Sequence, residues 1–212
     1  RIVYNGKPTR EWMTRDDVAS PTAATESVLL TAAIDAMEQR DVMTSDIPNA
    51  FIQAEMPLIE NGQEKVIMKI TELLVELFIN INPHLYGPMV VYEKGRRVIY
   101  VWVLRAIYGM LIAALLWYKK FKLKLERVGF IFNPYDPYVA NRDINGDQQT
   151  IIFHVDDVKS SHINGDVNTE FENWLNMEFG EHGKVTTRRS KKHDYLEMLL
   201  NYENDGEVII DM

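Results

Sequence analysis

The stretch IIFHVDDVKSSHI at 151–163 constrains the fold more than any other, because an apolar run ends in two adjacent aspartates and a second short run leaves them. The residues from Ile151 to Val155, mostly β-branched or aromatic, read as a buried strand. Asp156 and Asp157 then fall at a tight turn, since Asp tolerates turn dihedrals and bonds its own backbone. Two carboxylates side by side at the tip of a buried strand repel each other. They need water, a basic partner or a divalent cation. A solvated hairpin turn is the plain reading of an isolated Asp-Asp. A metal-binding pair requires a third carboxylate on a neighbouring strand.

Asp46 is the candidate for that third carboxylate. In VMTSDI at 42–47, Val42, Thr44 and Asp46 share one face of a strand and Met43, Ser45 and Ile47 the other. Pro48 cannot continue a central ladder, so the strand stops just after Asp46. Only the fold can bring Asp46 to the Asp-Asp pair. If the two strands are neighbours, the chain has an oxygen-rich site suited to Mg²⁺, which binds a few carboxylates and substrate phosphates and keeps its waters.

These residues carry a resemblance. His154-Val155-Asp156-Asp157 resembles the Y-x-D-D motif of reverse transcriptases, with His in place of Tyr. Asp46-Ile47-Pro48-Asn49-Ala50-Phe51 resembles their first aspartate motif, D-[IV]-x-x-A-F. Arg105-Ala106-Ile107-Tyr108-Gly109, followed by Trp117-Tyr118, is similar to the [KR]-x-[LI]-Y-G…W-[YF] block of copia-type LTR retrotransposons. The blocks stand in the family's order, and the similarity runs from about Ser20 to the C-terminus.

The resemblance implies an RNA-directed DNA polymerase using two Mg²⁺ ions, or Mn²⁺ in their place. Asp46 and Asp156 would bridge the ions and Asp157 would support the site near the primer end. Ile47 would offer its backbone carbonyl, Phe51 would be the steric gate under the sugar, and Tyr108 and Gly109 would line the nucleotide pocket. The implied partners are an RNA or DNA template with its primer, dNTPs, and RNase H and integrase segments of a Pol polyprotein outside this chain. The implied location is cytoplasmic, in a virus-like particle. The chain departs from the family at Met110–Leu115, where the usual L-K-Q-A-P-R is absent, and at Glu197, which occupies a glycine position after Tyr195-Leu196. Lys192 is a weaker candidate to protonate a leaving pyrophosphate, against a solvated basic turn. Rival readings are a nuclease, which would need a fourth acid, and an inactive remnant that only binds nucleic acid or a partner.

Length and composition fit a single large domain or two small lobes: 212 residues, 46% hydrophobic and 25% charged, are those of a globular chain with a sizeable core. Without cysteine there is no disulfide, zinc knuckle or thiol nucleophile. The longest uncharged apolar stretch, 106–118, is too short to span a bilayer, which takes about 20 residues, so no membrane role is expected. A net charge of −8 is unusual for a protein that handles polyanions. Positive charge concentrates in Lys119, Lys120, Lys122, Lys124 and Arg127, and in Arg188, Arg189, Lys191 and Lys192.

Along the chain, 1–19 is irregular, and Ser20-Pro21 signals the start of a helix over 22–39. A short helical turn at 49–56, a strand at 64–70, a helix from 71 to 79 and a loop at 80–89 follow. Lys94-Gly95 marks a hairpin, 110–128 a long helix ended by Gly129, and Asn145-Gly146 a second hairpin. A helix at 167–179 precedes short strands at 185–189, 194–202 and 207–211. Helices and antiparallel strands mix without βαβ alternation, so the expected class is α+β: an antiparallel sheet with helices on one face, the aspartate face being open. The layout resembles a reverse-transcriptase palm with partial fingers over 20–183, and primer-grip-like strands over 184–212.

Overall fold

The computed structural model describes residues 4–7, 20, 22–57 and 66–212, so most of the irregular stretch 1–19, with Pro21, Glu64 and Lys65, lies outside the described residues. In chain order the elements are α1 (Thr25–Met37), β1 (Asp41–Asp46), α2 (Ala50–Gln53), β2 (Ile67–Thr71), α3 (Leu73–Ile81) and α4 (Pro83–Tyr86). They continue with β3 (Val91–Glu93), β4 (Arg96–Trp102), α5 (Ala113–Arg127), β5 (Ile131–Phe132), β6 (Val139–Ile144), β7 (Asp147–His154) and β8 (Asp157–His162). Then come α6 (Gly165–Phe179), β9 (Thr186–Arg188), β10 (Lys192–Tyr195), β11 (Met198–Asn201) and β12 (Ile209–Asp211). The class is α+β with antiparallel sheets. The main sheet has the order β5-β6-β7-β8-β1-β9, and two smaller sheets have the orders β10-β11-β12 and β2-β4-β3.

One face of the main sheet packs on α5 and α6. Met43, Ile47, Ile151, Phe153 and Val158 from the sheet meet Trp117, Phe121, Leu125, Phe171, Leu175 and Phe179, all buried. On α5 the buried Ala113, Trp117, Phe121 and Leu125 recur every fourth residue, so the helix buries one stripe. Aromatic edges set the packing, with the Phe121 ring 4.9 Å from Phe153 and the Trp117 ring 5.3 Å from Phe179. Gly129, at φ +91°, ends the run as the spacing predicts.

The opposite face is also covered, which corrects the expectation of helices on one face only. Val42, Val139 and Ile152 pack against Val28, Ala32 and Ala36 of α1 and against Tyr195, Met198, Leu200 and Tyr202 around β10–β11. Strands buried on both faces lose the alternation that would have revealed this. β8 shows the consequence: its interior Lys159, Ser160, Ser161 and His162 are all buried despite their polarity. Each face has its own polar anchor. On the α1 side the Lys159 ammonium pairs with the Asp35 carboxylate, and both side chains are 1% exposed. On the α6 side Gln149 Nε2 donates to Ser160 Oγ (2.9 Å) and Ser160 Oγ to Asn168 Oδ1 (2.8 Å). Asn168 Nδ2 in turn donates to the Asp41 carboxylate (2.7 Å).

Two local expectations change. α1 starts at Thr25 behind an Ala24 cap rather than at Ser20, whose hydroxyl is hydrogen-bonded to Tyr138 Oη. The backbone N–H of Ala24 donates to Asp136 Oδ2 (3.1 Å), which holds the preceding residues extended. The 80–89 loop contains α4, capped by Asn82 Oδ1 accepting from Leu85 N (3.0 Å), with Pro83 in its first turn.

The two basic blocks are largely consumed internally. Lys120 Nζ donates to the carbonyl of Gln53 (2.6 Å), Lys124 pairs with Glu178 and Lys122 with Glu126. Arg188 pairs with Asp194, Arg189 with Asp41 and Lys192 with Glu203. No helix among the described residues is long and apolar enough to cross a membrane.

Candidate active site

The register of β1 against β8 places Asp46 opposite Asp157. Directly opposed residues of an antiparallel pair lie about 5 Å apart at Cα, so strands from distant parts of the chain deliver two carboxylates to one spot. Asp46 shares the face of Val42 and Thr44, while Asp157 alternates with the inward Val158, so both point to the α1 side. The cover stops short of them, and both residues are exposed.

The turn itself is one residue earlier than the sequence suggests. His154 pairs with Asp157, which leaves Val155 and Asp156 as the two-residue loop and makes Asp157 the first residue of β8. Val155 has φ +54° and Asp156 is not in the positive region, the pattern of a type II′ turn whose first position normally takes glycine. A β-branched residue there is strained. Three bonds over-determine it: Trp117 Nε1 donates to the Val155 carbonyl (2.6 Å), Ile47 N donates to the Asp156 carbonyl (2.9 Å), and the His154–Asp157 pair closes the hairpin. Strain of this kind, about 1–3 kcal/mol, persists only where the surroundings enforce it, and it clusters at functional sites.

The carboxyl of Asp157 is pushed above its ordinary value, first by partial desolvation at the cleft and then by the charges of Asp156 and Asp46. Asp157 therefore feels both of the other two carboxylates. Such crowding is relieved by a bound cation, and exposed carboxylates are hard oxygen donors suited to Mg²⁺. Among the described residues, however, no three His, Cys, Asp or Glu side chains stand close enough to hold an ion together. The residues that would hold a cation are Asp46 and Asp157, which face each other, with Asp156 in the turn between β7 and β8.

Phe51 and Tyr108 come from separate blocks and meet, with ring centroids 4.5 Å apart and planes tilted by 53°. Phe51, in α2, is half-buried against the main core, so it has one edge in the core and one outside. Asn49, at φ +53°, turns the chain back after Pro48 and puts Phe51 beside the end of β1. Ile47 is fully buried, so its side chain belongs to the core. Gly109 has φ +92°. The N-terminal segment packs closely here: a Cβ on Gly6 would lie 2.3 Å from the Gly109 carbonyl oxygen, and Tyr4 N donates to the Tyr108 carbonyl (2.8 Å).

A cleft of about 440 Å³ opens beside Asp157, walled by Ala23, Thr25 and Val28, by His154, and by Leu196, Glu197 and Met198. The β10–β11 tip thus walls the same cleft as Asp157, a meeting of distant segments that no local pattern signals. Leu196 and Glu197 form a two-residue loop with φ +50° and +64°, a conformation that favours Asn-Gly. Glu197→Gly is expected to raise stability by about 1 kcal/mol, the left-handed penalty less the unfolded-state entropy that glycine adds. For a chain of this size that is a melting-temperature gain of about 2–4 °C, read by thermal unfolding. Lys192 is tied to Glu203 (2.9 Å), three residues before the tip, which favours the basic-turn reading over a pyrophosphate role.

By sequence, no family profile and no characterised protein matches the chain. Among solved structures, telomerase from Candida albicans, determined in complex with a TWJ fragment of telomeric RNA, superposes with a TM-score of 0.42 at 8% identity. The match covers 92% of this chain and 36% of that one, so the chain spans about a third of the telomerase's length.

Proposed function

We propose that the chain is the polymerase core of a copia-type reverse transcriptase, extending a primer 3′-hydroxyl with dNTPs on an RNA or DNA template. The observation that carries this reading is the register setting Asp46 opposite Asp157, with Asp156 in a strained, bonded turn between β7 and β8. Bound Mg²⁺ would supply charge neutralisation for the attacking and leaving oxygens. Asp46 and Asp156 would hold the ions, and Asp157 would support the site near the primer end. Phe51, whose ring meets Tyr108, would be the steric gate under the sugar, and Tyr108 and Gly109 would line the nucleotide pocket. RNase H and integrase segments of a longer Pol protein, and a cytoplasmic particle, belong to the same reading.

The test is Mg²⁺-dependent primer extension on an RNA template, with Asp156→Asn as control. Extension by the parent and none by the variant supports the proposal; no extension by the parent under any divalent cation overturns it. A second reading, an inactive remnant that binds nucleic acid, draws on the apolar start of α5 and on the absence of a three-ligand cluster among the described residues. Oligonucleotide binding without extension would select it.

Phe51→Ala is expected to admit ribonucleotides, since the loss is steric and leaves the carboxylates in place. The ratio of ribo- to deoxynucleotide incorporation should rise by tenfold or more, a hundredfold corresponding to about 2.7 kcal/mol. An unchanged ratio in an active variant would return Phe51 to the core.

A further inference from the structure

The end of β1 away from Asp46 borders a second cavity, of about 240 Å³, lined by Arg40, Asp41, Arg189, Ser190, Lys191 and Tyr202 among others. Asp41 and Asp46 are the two ends of β1, so the cavity lies about 16 Å from the aspartates at ~3.3 Å per residue. Three cations and one carboxylate line it in a chain whose net charge is −8.

Arg189 is pre-organised. Its Nη2 donates to Asp41 Oδ2 (2.6 Å) and to the Gly165 carbonyl (2.9 Å), and its Nη1 donates to Thr169 Oγ1 (2.6 Å). Asp41 is itself fixed by Asn168 Nδ2 (2.7 Å), so the guanidinium plane is set from the buried polar network. Gly165 is what permits this approach, because a Cβ there would lie 2.8 Å from Arg189 Nη2. These bonds use three of the five N–H groups of a guanidinium and leave Nε–H and one Nη1–H.

Arg40 presents a second guanidinium, its side chain 4% exposed, anchored by Glu38 (2.7 Å) and Thr150 Oγ1 (3.0 Å). Lys191, exposed, adds an ammonium beyond the two pairs. A purely structural role accounts for the Arg189–Asp41 pair, which ties β1 to the segment after β9, and for Arg40, which holds Glu38 and bonds Thr150 of β7. It does not account for an open cavity between them with a third cation beside it.

We propose that this cavity binds a phosphate group. Guanidinium edges held in fixed planes match the tetrahedral oxygens of phosphate, and a flexible ammonium completes the neutralisation. The phosphate comes either from a nucleic-acid backbone or from a free phosphate or diphosphate, since both present the same oxygens.

The experiment titrates inorganic phosphate and pyrophosphate into the full chain by calorimetry, with EDTA present so that the aspartate site is silent. Saturable binding at one site is expected, weakened about tenfold or more in Lys191→Glu and in Arg189→Lys, as for loss of one charge-assisted bond. Binding should be unchanged in Asp46→Asn, which separates this site from the proposed polymerase centre. An oligonucleotide that displaces the phosphate identifies a backbone phosphate as the source; one that does not identifies a free phosphate. Absence of saturable binding, or equal binding by a folded Lys191→Glu chain, overturns the proposal.

Discussion

Asp46→Asn is expected to abolish primer extension, by at least about 10³-fold, while the chain keeps its fold. The substitution keeps shape and removes a charge that faces Asp157 across β1 and β8. The large loss follows from the chemistry proposed for the site, where electrostatic stabilisation of developing charge is usually the largest single contribution. The fold should not suffer, because Asp46 is exposed and Asp157 carries a pKa raised by burial and then by the charges of Asp156 and Asp46. Removing a like charge relieves repulsion, discounted for solvent screening to no more than about 0.5 kcal/mol. The melting temperature should therefore stay level or rise slightly. Extension at the parent's rate would sink the site assignment; a drop of many degrees would show that Asp46 is structural.

The second large effect concerns Lys159. Replacing it with Ala leaves the Asp35 carboxylate buried without its cation, which costs about 3–5 kcal/mol. That is at least about a fifth of a typical domain's stability of about 5–15 kcal/mol. The position is already demanding: the buried Tyr202 hydroxyl beside Asp35 has its pKa driven up by burial and by the Asp35 charge. The double variant Asp35→Leu/Lys159→Met should recover most of the loss, since a buried pair exchanged for apolar residues of similar size is often neutral. Urea unfolding of the parent, single and double variants measures this. A single variant as stable as the parent would mean that α1 does not depend on the pair.

Both effects trace to features of unequal visibility in the sequence. Asp46 was readable because Pro48 ends its strand and Val42, Thr44 and Asp46 alternate with buried partners. The Asp-Asp turn was readable to within one residue. The shift arose because Val155 takes a left-handed conformation that its β-branch opposes, and only Trp117 and Ile47, from other elements, hold it there. The resemblance of the Tyr108 block carried no geometry, yet Phe51 and Tyr108 touch.

Lys159 was not readable as buried. In DVKSSH a lysine followed by two serines suggests solvent, and its counter-charge lies on a helix 124 residues away. The cover over the second face was hidden for the same reason: Tyr195 and Leu200 belong to short strands, and Tyr202 follows one, with partners set by tertiary contact. In the 80–89 segment the signal was present, since Asn82-Pro83 is also a cap followed by a first-turn proline, but turn chemistry and helix starts share those residues.

The Asn145–Gly146 hairpin, with φ +58° and +94° at the outer end of β6 and β7, divides the sheet into two ends with different tolerance for change. β7 runs from Asp147 to His154, so this loop stands a full strand length from the aspartates. Extra residues spliced in there would lengthen an exposed tip and disturb no ladder pair near Asp157. One residue added between His154 and Asp157, or within β8, would shift the pairing and turn the aspartate to the other face. Diversification by insertion is thus open to one margin of the sheet and closed to the other. A peptide tag or fluorophore carrier placed between Asn145 and Gly146 should leave the carboxylate pair where it is.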